Sequence, residues 1–318
     1  MAEFKIPLLA VVGPTGSGKT ALGVELCRIF GGEVISCDSM QIYRGMDIAT
    51  AKPTAEETGE IPHHLIDFAG TDEIFSVAKY CALAGEKAAE IHSRGKIPVI
   101  VGGTGLYYSS FVDNITFLDE ETDFDYREEL RERAETEGAQ ALLDELAEVD
   151  PETASRLHVN NVPRIIRALE IYHSTGRTKS LQDEMSKNNP SPYSCITVCL
   201  DARDRNALYD RINLRVDRMV EAGLVEEAKR FYAMNAGKTA VQAIGYKELK
   251  PYLDGEKSLE ECIENLKMQT RRYAKRQLTW FRRDSRIKFF YIDDYPGFPE
   301  LVQAVASFIR EERELIEK

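Results

Sequence analysis

The chain has 318 residues, of which 43% are hydrophobic and 30% are charged, and its formal net charge is −12. These values are typical of a globular protein with one large or two smaller domains, and no apolar run approaches the roughly 20 residues of a membrane span. The negative charge argues weakly against a nucleic-acid partner, because phosphate backbones attract basic surfaces. The six cysteines include no C-x-x-C pair, which predicts buried thiols in a reducing cytoplasm rather than a disulfide framework or a zinc site.

Charge is distributed unevenly along the chain. Residues 119–150 contain fourteen acids and three arginines, whereas residues 271–288 contain eight basic residues and one acid. A protein that is acidic overall can therefore still present a local basic surface.

The first hundred residues alternate between apolar strands and helices. A buried strand is predicted over 6–12, and a helix follows over 20–30. Two further strands are predicted over 33–36 and 96–102, with an alanine-rich helix over 76–94 between them. Because strand–helix–strand units form parallel sheets with right-handed crossovers, this pattern predicts an α/β fold.

The pattern changes in the middle of the chain. Residues 117–192 show helical periodicity and no credible strand, and apolar strand-like residues resume after them. We therefore predict a parallel α/β core in two segments, 1–116 and 193–318, interrupted by a mostly helical insertion domain over 117–192. Beyond the first segment, the predicted elements are helices at 126–137, 139–149 and 161–174, a strand at 195–200, helices at 209–235 and 259–281, and a strand at 289–293 before a C-terminal helix.

The first predicted strand runs into a glycine-rich turn, GPTGSGKT, at residues 13–20. The turn matches G-x-x-x-x-G-K-[ST] with a strand before it and a helix after it, which makes it a P-loop typical of nucleotide-binding and ATP-binding proteins. Its glycines let backbone amides curl around an anion, Lys19 adds a positive charge, and Thr20 offers a hydroxyl to Mg²⁺. The core is therefore predicted to be P-loop NTPase-like. The residues expected to bind a diphosphate or nucleotide are Gly13, Pro14, Thr15, Gly16, Ser17, Gly18, Lys19 and Thr20.

A polar segment, DSMQIYRGMDIATAKP, follows the second predicted strand at residues 38–53. It places Asp38 at the carboxyl end of a strand, where open α/β sheets bind their ligands. A lone aspartate there is about as often a helix N-cap or a carboxylate near Mg²⁺. The polar and aromatic side chains of Ser39, Gln41 and Tyr43 favour a ligand site, because a purely structural loop needs none of them.

The third predicted strand ends in VGGTGLYY, residues 101–108, with Thr104 on the turn. Its glycines allow close backbone approach, although an ordinary glycine turn has the same composition. Because the carboxyl ends of parallel strands meet at one edge of a sheet, we expect the P-loop, Asp38 and Thr104 to converge on one crevice.

Two basic stretches lie in the second core segment. Arg211, Arg215 and Arg218 fall on one face of a predicted helix. Such a stripe is more often a solvated surface, but beside a phosphate site it would complete an anion pocket. The stretch RRYAKRQLTWFRR, residues 271–283, interleaves basic and aromatic residues, which fits core aromatics with surface charge slightly better than RNA contact. The pair His63–His64 lacks the spacing of zinc motifs and is interpreted as structural or substrate-positioning.

Taken together, these motifs resemble those of the bacterial tRNA dimethylallyltransferase family, also called tRNA isopentenyltransferases. The resemblance covers essentially the whole chain. In chain order the matching motifs are GPTGSGKT, DSMQIYRGMDIATAKP, PHHLID, VGGTGLYY, NNVPRIIRALE, LYDRINLRVDRM, GYKEL and RRYAKRQLTWFRR.

The resemblance implies transfer of a dimethylallyl group from dimethylallyl diphosphate to the exocyclic amine of the adenosine 3′-adjacent to the anticodon. The acceptors would be tRNAs that read codons beginning with U, and the product would be isopentenyladenosine. The P-loop would hold the diphosphate as a leaving group, with Mg²⁺ as cofactor. The adenosine must leave its stack, so a flipped base and a channel through the core are expected. The implied protein is a cytoplasmic monomer that binds the tRNA anticodon stem-loop and no membrane.

The resemblance also implies roles for single residues. Asp38 would be the base that takes the proton of the adenine amine, and Thr104 and Arg215 would bind the bridging oxygen or the diphosphate. The insertion domain would contact the anticodon stem-loop through residues 160–167, because its first half is acidic. The implied tRNA contacts are Asp38, Ser39, Met40, Gln41, Thr104, Asn160, Asn161, Val162, Pro163, Arg164 and Arg167.

Two other classes of protein compete with this interpretation. An ATP-dependent nucleotide or small-molecule kinase would have the same P-loop and would use the insertion as a lid. A non-catalytic NTP-binding switch would also have the loop, but it would leave the pairing of Asp38 with Thr104 without a purpose. The basic and aromatic C-terminal stretch and the long segment after the second strand favour the RNA-modifying enzyme.

Overall fold

The computed structural model describes residues 5–117, 123–186, 189–234, 237 and 239–316. These residues form two compact units. The larger is built from residues 1–112 and 191–318, and the smaller from residues 113–190. No helix in the described ranges is both long enough and apolar enough to cross a bilayer.

The larger unit contains a six-stranded, entirely parallel sheet in the order β3-β2-β4-β1-β5-β6. This arrangement confirms the predicted α/β fold. The sequence did not predict the two-residue strand β3, which lies at one edge of the sheet. The strands are β1 (Ile6–Val12), β2 (Gly32–Ser36), β3 (His63–His64), β4 (Ile97–Gly102), β5 (Tyr193–Asp201) and β6 (Lys288–Tyr291).

The central strand β1 is apolar throughout because both of its faces are buried. Leu8, Ala10 and Val12 point into one hydrophobic core, whereas Leu9 and Val11 point into a second core on the opposite face of the sheet. Helices pack on both faces, as the parallel arrangement requires. The helices of the described residues are α1 (Lys19–Phe30), α2 (Ala55–Thr58), α3 (Val77–Ser93), α4 (Gly105–Val112), α5 (Phe124–Thr136), α6 (Ala139–Val149), α7 (Pro151–Arg156), α8 (Val162–Thr175), α9 (Lys179–Ser186), α10 (Arg205–Glu221), α11 (Leu224–Ala233), α12 (Tyr246–Leu253), α13 (Leu259–Phe281) and α14 (Phe298–Ile316).

One predicted helix is wrong in its extent. The single helix expected over 209–235 is two helices, α10 and α11, separated at Gly223. Gly223 has φ +99°, a left-handed conformation that interrupts an α-helix and that glycine adopts without steric cost. Asn235, the last residue of that predicted helix, lies outside the described residues.

The smaller unit consists of helices α5 to α9 around its own core, which includes Leu130, Leu142 and Ile165. The predicted helices at 126–137, 139–149 and 161–174 correspond to α5, α6 and α8, whereas α7 and α9 were not predicted. Asp150 joins these two short helices, because its buried carboxylate accepts hydrogen bonds from the backbone amides of Thr153 and Ser180. The link depends on a long-range contact that local sequence patterns do not reveal.

A buried carboxylate, Glu33, stabilises the edge of the sheet in the larger unit. Its oxygens accept hydrogen bonds from Lys96 at 2.9 Å and Arg94 at 2.7 Å, and one of them lies 2.7 Å from Nε2 of His64. Burial alone would raise the pKa of Glu33, but its hydrogen bonds with Lys96 and His64 and the nearby positive charges lower that pKa to about 2.

We expect Glu33 to make stability depend on pH between about 4.5 and 2. The folded-state pKa lies below the unfolded value, so the contribution is complete above pH 4.5 and is lost as the pH falls towards 2. Its size is about 3 kcal/mol at most. Denaturant unfolding at several pH values should show Glu33→Gln less stable than the wild type at pH 7, with a difference that shrinks on acidification.

The matched control is Glu86→Gln, which removes an exposed carboxylate from α3. It should leave the pH dependence of unfolding close to that of the wild type. A difference between wild type and Glu33→Gln that stays constant from pH 7 to pH 3 would contradict the assignment.

Candidate active site

The P-loop connects β1 to α1 and adopts the backbone conformation of an anion-binding loop. Gly13, Gly16 and Gly18 have φ values of +146°, +80° and +89°. A Cβ atom on Gly13 would lie 2.6 Å from the backbone oxygen of Leu200, so this position excludes any side chain. The hydroxyl of Ser17 is buried and has no hydrogen-bond partner among the described residues. It is therefore available to donate a hydrogen bond to a phosphate oxygen.

Lys19, the first residue of α1, supplies the positive charge of the loop. Its Nζ donates a hydrogen bond to the backbone oxygen of Pro14 at 3.2 Å. Burial lowers the pKa of Lys19 to about 8; the charge of Arg215 contributes to the decrease, and the charge of Asp38 opposes it. Two cations and one carboxylate therefore lie within electrostatic reach of one another.

Asp38 lies just beyond the carboxyl end of β2, as its sequence position predicts. Its Oδ1 accepts hydrogen bonds from the backbone amides of Met40 at 2.9 Å and Gln41 at 3.4 Å. These contacts fix the orientation of the carboxylate. Among the described residues no hydrogen bond to Oδ2 is found, so this oxygen remains available to a ligand.

Thr104 lies in the turn after β4 and is hydrogen-bonded to the segment that carries Asp38. The amide of Ser39 donates to Oγ1 of Thr104 at 3.1 Å, and the amide of Thr104 donates to the backbone oxygen of Cys37 at 3.1 Å. A Cβ atom on Gly102 would lie 2.1 Å from that same oxygen, which explains the glycine before the turn. The structure therefore brings Thr104 and Asp38 onto adjoining loops.

The arginine stripe predicted on α10 divides into one half-buried and two exposed members. Arg215 faces a cavity, and burial lowers the pKa of its guanidinium while the charge of Asp38 opposes that change. Arg211 and Arg218 are exposed. Arg211 flanks the P-loop, since its Nη2 would lie 3.5 Å from a Cβ atom on Gly18. Of these three arginines, only Arg215 lines the cavity, where its charge can bind an anion.

A cavity of about 270 Å³ in the larger unit is lined by Lys19, Asp38 and Arg215. Apolar residues that include Val34, Val101 and Leu266 form part of its wall. Thr104 and the remaining P-loop residues do not belong to its wall in the described part of the chain. Of the residues that the sequence predicted, those lining it are Thr15, Lys19, Thr20, Asp38, Ser39, Met40, Gln41 and Arg215.

Helix α13 contributes five residues to the cavity wall that the sequence did not predict for the site: Leu266, Thr270, Tyr273, Arg276 and Gln277. Tyr273 and Gln277 both line the cavity and are separated by one helical turn. The Tyr273 hydroxyl interacts with the side chains of Thr104 and Gln277, and burial raises its pKa, with the charge of Asp38 contributing. The aromatic and basic composition of residues 271–283 indicated this helix, but nothing in the sequence indicated which of its faces would line the site.

The histidine pair divides between two environments. His64 contacts Glu33, which supports a structural role. His63 lines the cavity, and its Nδ1 lies 2.9 Å from the backbone oxygen of Ile61. Burial lowers the pKa of His63, which favours the neutral imidazole.

The predicted tRNA contacts at residues 160–167 belong to the smaller unit and surround the start of α8. Asn160, Pro163 and Arg164 are exposed there, whereas Arg167 forms an ion pair with the buried carboxylate of Glu170. Arg127 contacts the same carboxylate from α5, so Glu170 links α5 to α8, whereas its pair with Arg167 lies within α8.

The site fits Mg²⁺ only together with a phosphate ligand. Among the described residues, no group of three or more His, Cys, Asp or Glu side chains could hold a metal ion. Thr20 lines the cavity next to Lys19, and a hydroxyl together with phosphate oxygens and water is the ligand set that Mg²⁺ commonly takes.

Comparison with protein families gives a direct match. A family model described as IPP transferase matches residues 41–284. A relative from Thermoanaerobacter sp. (strain X514), named tRNA dimethylallyltransferase, is 48% identical over 307 residues, which cover 96% of this chain and 98% of the relative. A relative of the same name from Halalkalibacterium halodurans is also 48% identical and covers 96% of this chain and 97% of its own.

Solved structures agree with this result. The tRNA isopentenylpyrophosphate transferase from Bacillus halodurans is 47% identical, with a TM-score of 0.74, and the match covers 98% of this chain and 99% of that one. A eukaryotic dimethylallyltransferase described as acting on tRNA is 31% identical with a TM-score of 0.74, and covers 86% of this chain and 69% of its own. These findings confirm the resemblance seen in the sequence, and the chain belongs to the IPP transferase family of tRNA dimethylallyltransferases.

Proposed function

We propose that this protein transfers a dimethylallyl group from dimethylallyl diphosphate to the exocyclic amine of an adenosine in tRNA. The observation that carries the proposal is the cavity that places Lys19 and Arg215 beside the carboxylate of Asp38. A phosphate-binding loop and a fixed carboxylate at one cavity are what diphosphate departure and amine deprotonation each require. The names of the relatives support this reaction over that of a kinase.

The proposed reaction forms one bond and breaks another. The adenine nitrogen attacks the allylic carbon, and the bond from that carbon to the bridging oxygen breaks with its electron pair leaving on the diphosphate. Negative charge grows on the diphosphate in the transition state, where the P-loop amides, Lys19 and Arg215 stabilise it. Mg²⁺ bound by Thr20 and the phosphate oxygens would neutralise part of the same charge.

Asp38 is proposed as the base that receives the proton of the amine. An adenine amine is a weak nucleophile because its lone pair is delocalised into the ring, so removal of its proton during attack assists the reaction. The two backbone hydrogen bonds to Oδ1 hold the carboxylate in one orientation. Oδ2 is then the oxygen that accepts the proton.

Thr104 and the tRNA contacts complete the proposal. The hydroxyl of Thr104 accepts a hydrogen bond from the Ser39 amide and contacts Tyr273. These contacts support a role for Thr104 in holding the bridging oxygen or the target base near Asp38. The exposed residues Asn160, Pro163 and Arg164 are available for the anticodon stem-loop. Four points stay predictions: the position of the adenosine next to the anticodon, the choice of tRNAs that read codons beginning with U, the monomeric state and the cytoplasmic location.

The decisive experiment is incubation with labelled dimethylallyl diphosphate and unmodified tRNA, with Mg²⁺ and without ATP. Label that enters the tRNA at a single adenosine supports the proposal. ATP turnover that depends on a small acceptor, with no label in the tRNA, would instead support the kinase.

We expect Asp38→Asn to lower kcat by about 10²–10⁴-fold, because the amide cannot accept the proton. Its side-chain oxygen can still accept the hydrogen bond from the Met40 amide, so the loop should keep its conformation. Single-turnover transfer with saturating substrates measures the effect, and tRNA affinity should stay within about twofold.

Asp47→Asn is the matched control, since it changes an exposed carboxylate of the same loop that pairs with Lys52. It should leave kcat nearly unchanged. An Asp38→Asn variant that is as fast as the wild type would remove Asp38 from the role of base.

Binding of dimethylallyl diphosphate in the absence of tRNA should weaken above pH 8. Lys19 has a pKa of about 8 in the free protein and is charged below it. The oxygens of the ligand are already fully ionised in this range, so binding above pH 8 requires Lys19 to take up a proton. The dissociation constant measured by calorimetry should therefore rise towards tenfold per pH unit.

In Lys19→Met this rise should disappear, and binding should be weak at every pH. A wild-type dissociation constant that does not change between pH 7 and pH 10 would show that Lys19 is not the cation that titrates on binding.

A further inference from the structure

One side chain on α13 connects the P-loop to the turn that carries Thr104. The side chain of Gln277 is 5% exposed and lies between the two loops. The backbone amide of Thr15 donates to its Oε1 at 2.9 Å, and its Nε2 donates to the backbone oxygen of Gly103 at 2.9 Å.

The contact requires both chemical ends of a glutamine. One planar group must accept a hydrogen bond from one loop and donate a hydrogen bond to the other, which a carboxylate or an apolar side chain cannot do. Gly103 must also lack a side chain, because a Cβ atom there would lie 2.2 Å from Nε2 of Gln277. The arrangement is therefore specific on both sides of the contact.

The rest of the same helix face fits the same turn. Tyr273, one turn before Gln277, contacts the side chain of Thr104. Trp280 covers the end of the turn, since a Cβ atom on Gly105 would lie 2.3 Å from its ring. The turn at residues 103–105 is thus held against one face of α13.

We propose that Gln277 is a positioning residue that fixes the separation between the P-loop and the Thr104 turn. This inference rests on the proposed function, because that separation matters when one loop holds the diphosphate and the other holds the groups around the adenine amine. The amide of Thr15 donates its hydrogen bond to Gln277 and not to a ligand, so this backbone donor of the P-loop serves to fix the position of the loop.

The chemical consequence differs from that of losing a binding group. Without Gln277 each loop keeps its own ligand-binding atoms, but the distance between the two reacting centres is no longer fixed. A displacement of about 1 Å between reacting groups costs up to about 10²-fold in rate. Loss of Gln277 should therefore lower kcat more than it raises KM.

The test is Gln277→Met, which conserves the size of the side chain and removes both hydrogen bonds. We expect kcat for dimethylallyl transfer to fall by about tenfold to a hundredfold, with the KM for tRNA within about threefold of the wild type. The control is Gln269→Met on the same helix, because among the described residues the side-chain hydrogen bond of Gln269 goes to Asn265 of α13 and to neither loop. The control should keep wild-type kcat and melting temperature. Gln277→Met should melt at a lower temperature than the wild type, because two backbone groups lose their partner, but it should be fully folded at the assay temperature.

A second variant, Thr104→Val, tests whether Gln277 acts through the turn. If it does, Gln277→Met should cost less in the Thr104→Val background than in the wild type, because part of the same contribution is already lost. Equal losses in both backgrounds, or an unchanged kcat in Gln277→Met, would overturn the proposal.

Two measurements keep this inference separate from the proposed function. Calorimetry with inorganic diphosphate and Mg²⁺ should show affinity reduced about fivefold in Gln277→Met, because the loop is no longer held in place. Hydrogen exchange of the P-loop amides should be faster in this variant and unchanged in Gln269→Met. A wild type that transfers no dimethylallyl group would refute the proposed function, whereas unchanged diphosphate affinity and exchange would refute the role of Gln277.

Discussion

The register of three parallel strands is the constraint on which the site depends. β1 lies beside β4 with Val12 opposite Gly102, and β4 lies beside β2 with Val101 opposite Ser36. The three loops that follow these strands consequently begin at the same level of the sheet. A shift of one residue would also exchange the two faces of the central strand, so the two buried cores hold the register in place. The packing of apolar residues thereby determines where the P-loop, Asp38 and Thr104 meet.

The charges of the cavity are balanced for an anionic ligand rather than for the empty protein. Lys19 and Arg215 are both half-buried, and desolvation lowers the pKa of each, with Asp38 as the nearby negative charge. Placing two cations close together in a partly apolar cavity is unfavourable until an anion arrives. A diphosphate supplies that charge, and its departure as a leaving group is stabilised by the same residues. The two cations are therefore already in place before the diphosphate binds, and their repulsion in the free protein is part of the free-energy cost of preorganising the site.

Local signals predicted much of this arrangement. The P-loop, the ends of β2 and β4 and most helices were predicted from short stretches, because each depends on nearby residues with a distinctive composition. The extra strand β3 and the break at Gly223 were missed, since two residues carry little periodicity and a single glycine also occurs within helices. The partners of Glu33 and Gln277 were missed for a different reason. These contacts join residues far apart in sequence, and a single chain contains no local trace of them.

Helix α13 shows why the missed contacts concern function as much as stability. Gln277 is separated from Thr15 by 262 positions, yet its side chain accepts a hydrogen bond from the amide of Thr15. The second core segment therefore does more than close the sheet, because its helix sets the spacing between two loops contributed by the first segment. A displacement of about 1 Å between reacting groups is enough to slow group transfer by up to about 10²-fold. The strands bring the three loops to one edge of the sheet, and the contact with α13 fixes the distance between the loops that hold the reacting groups.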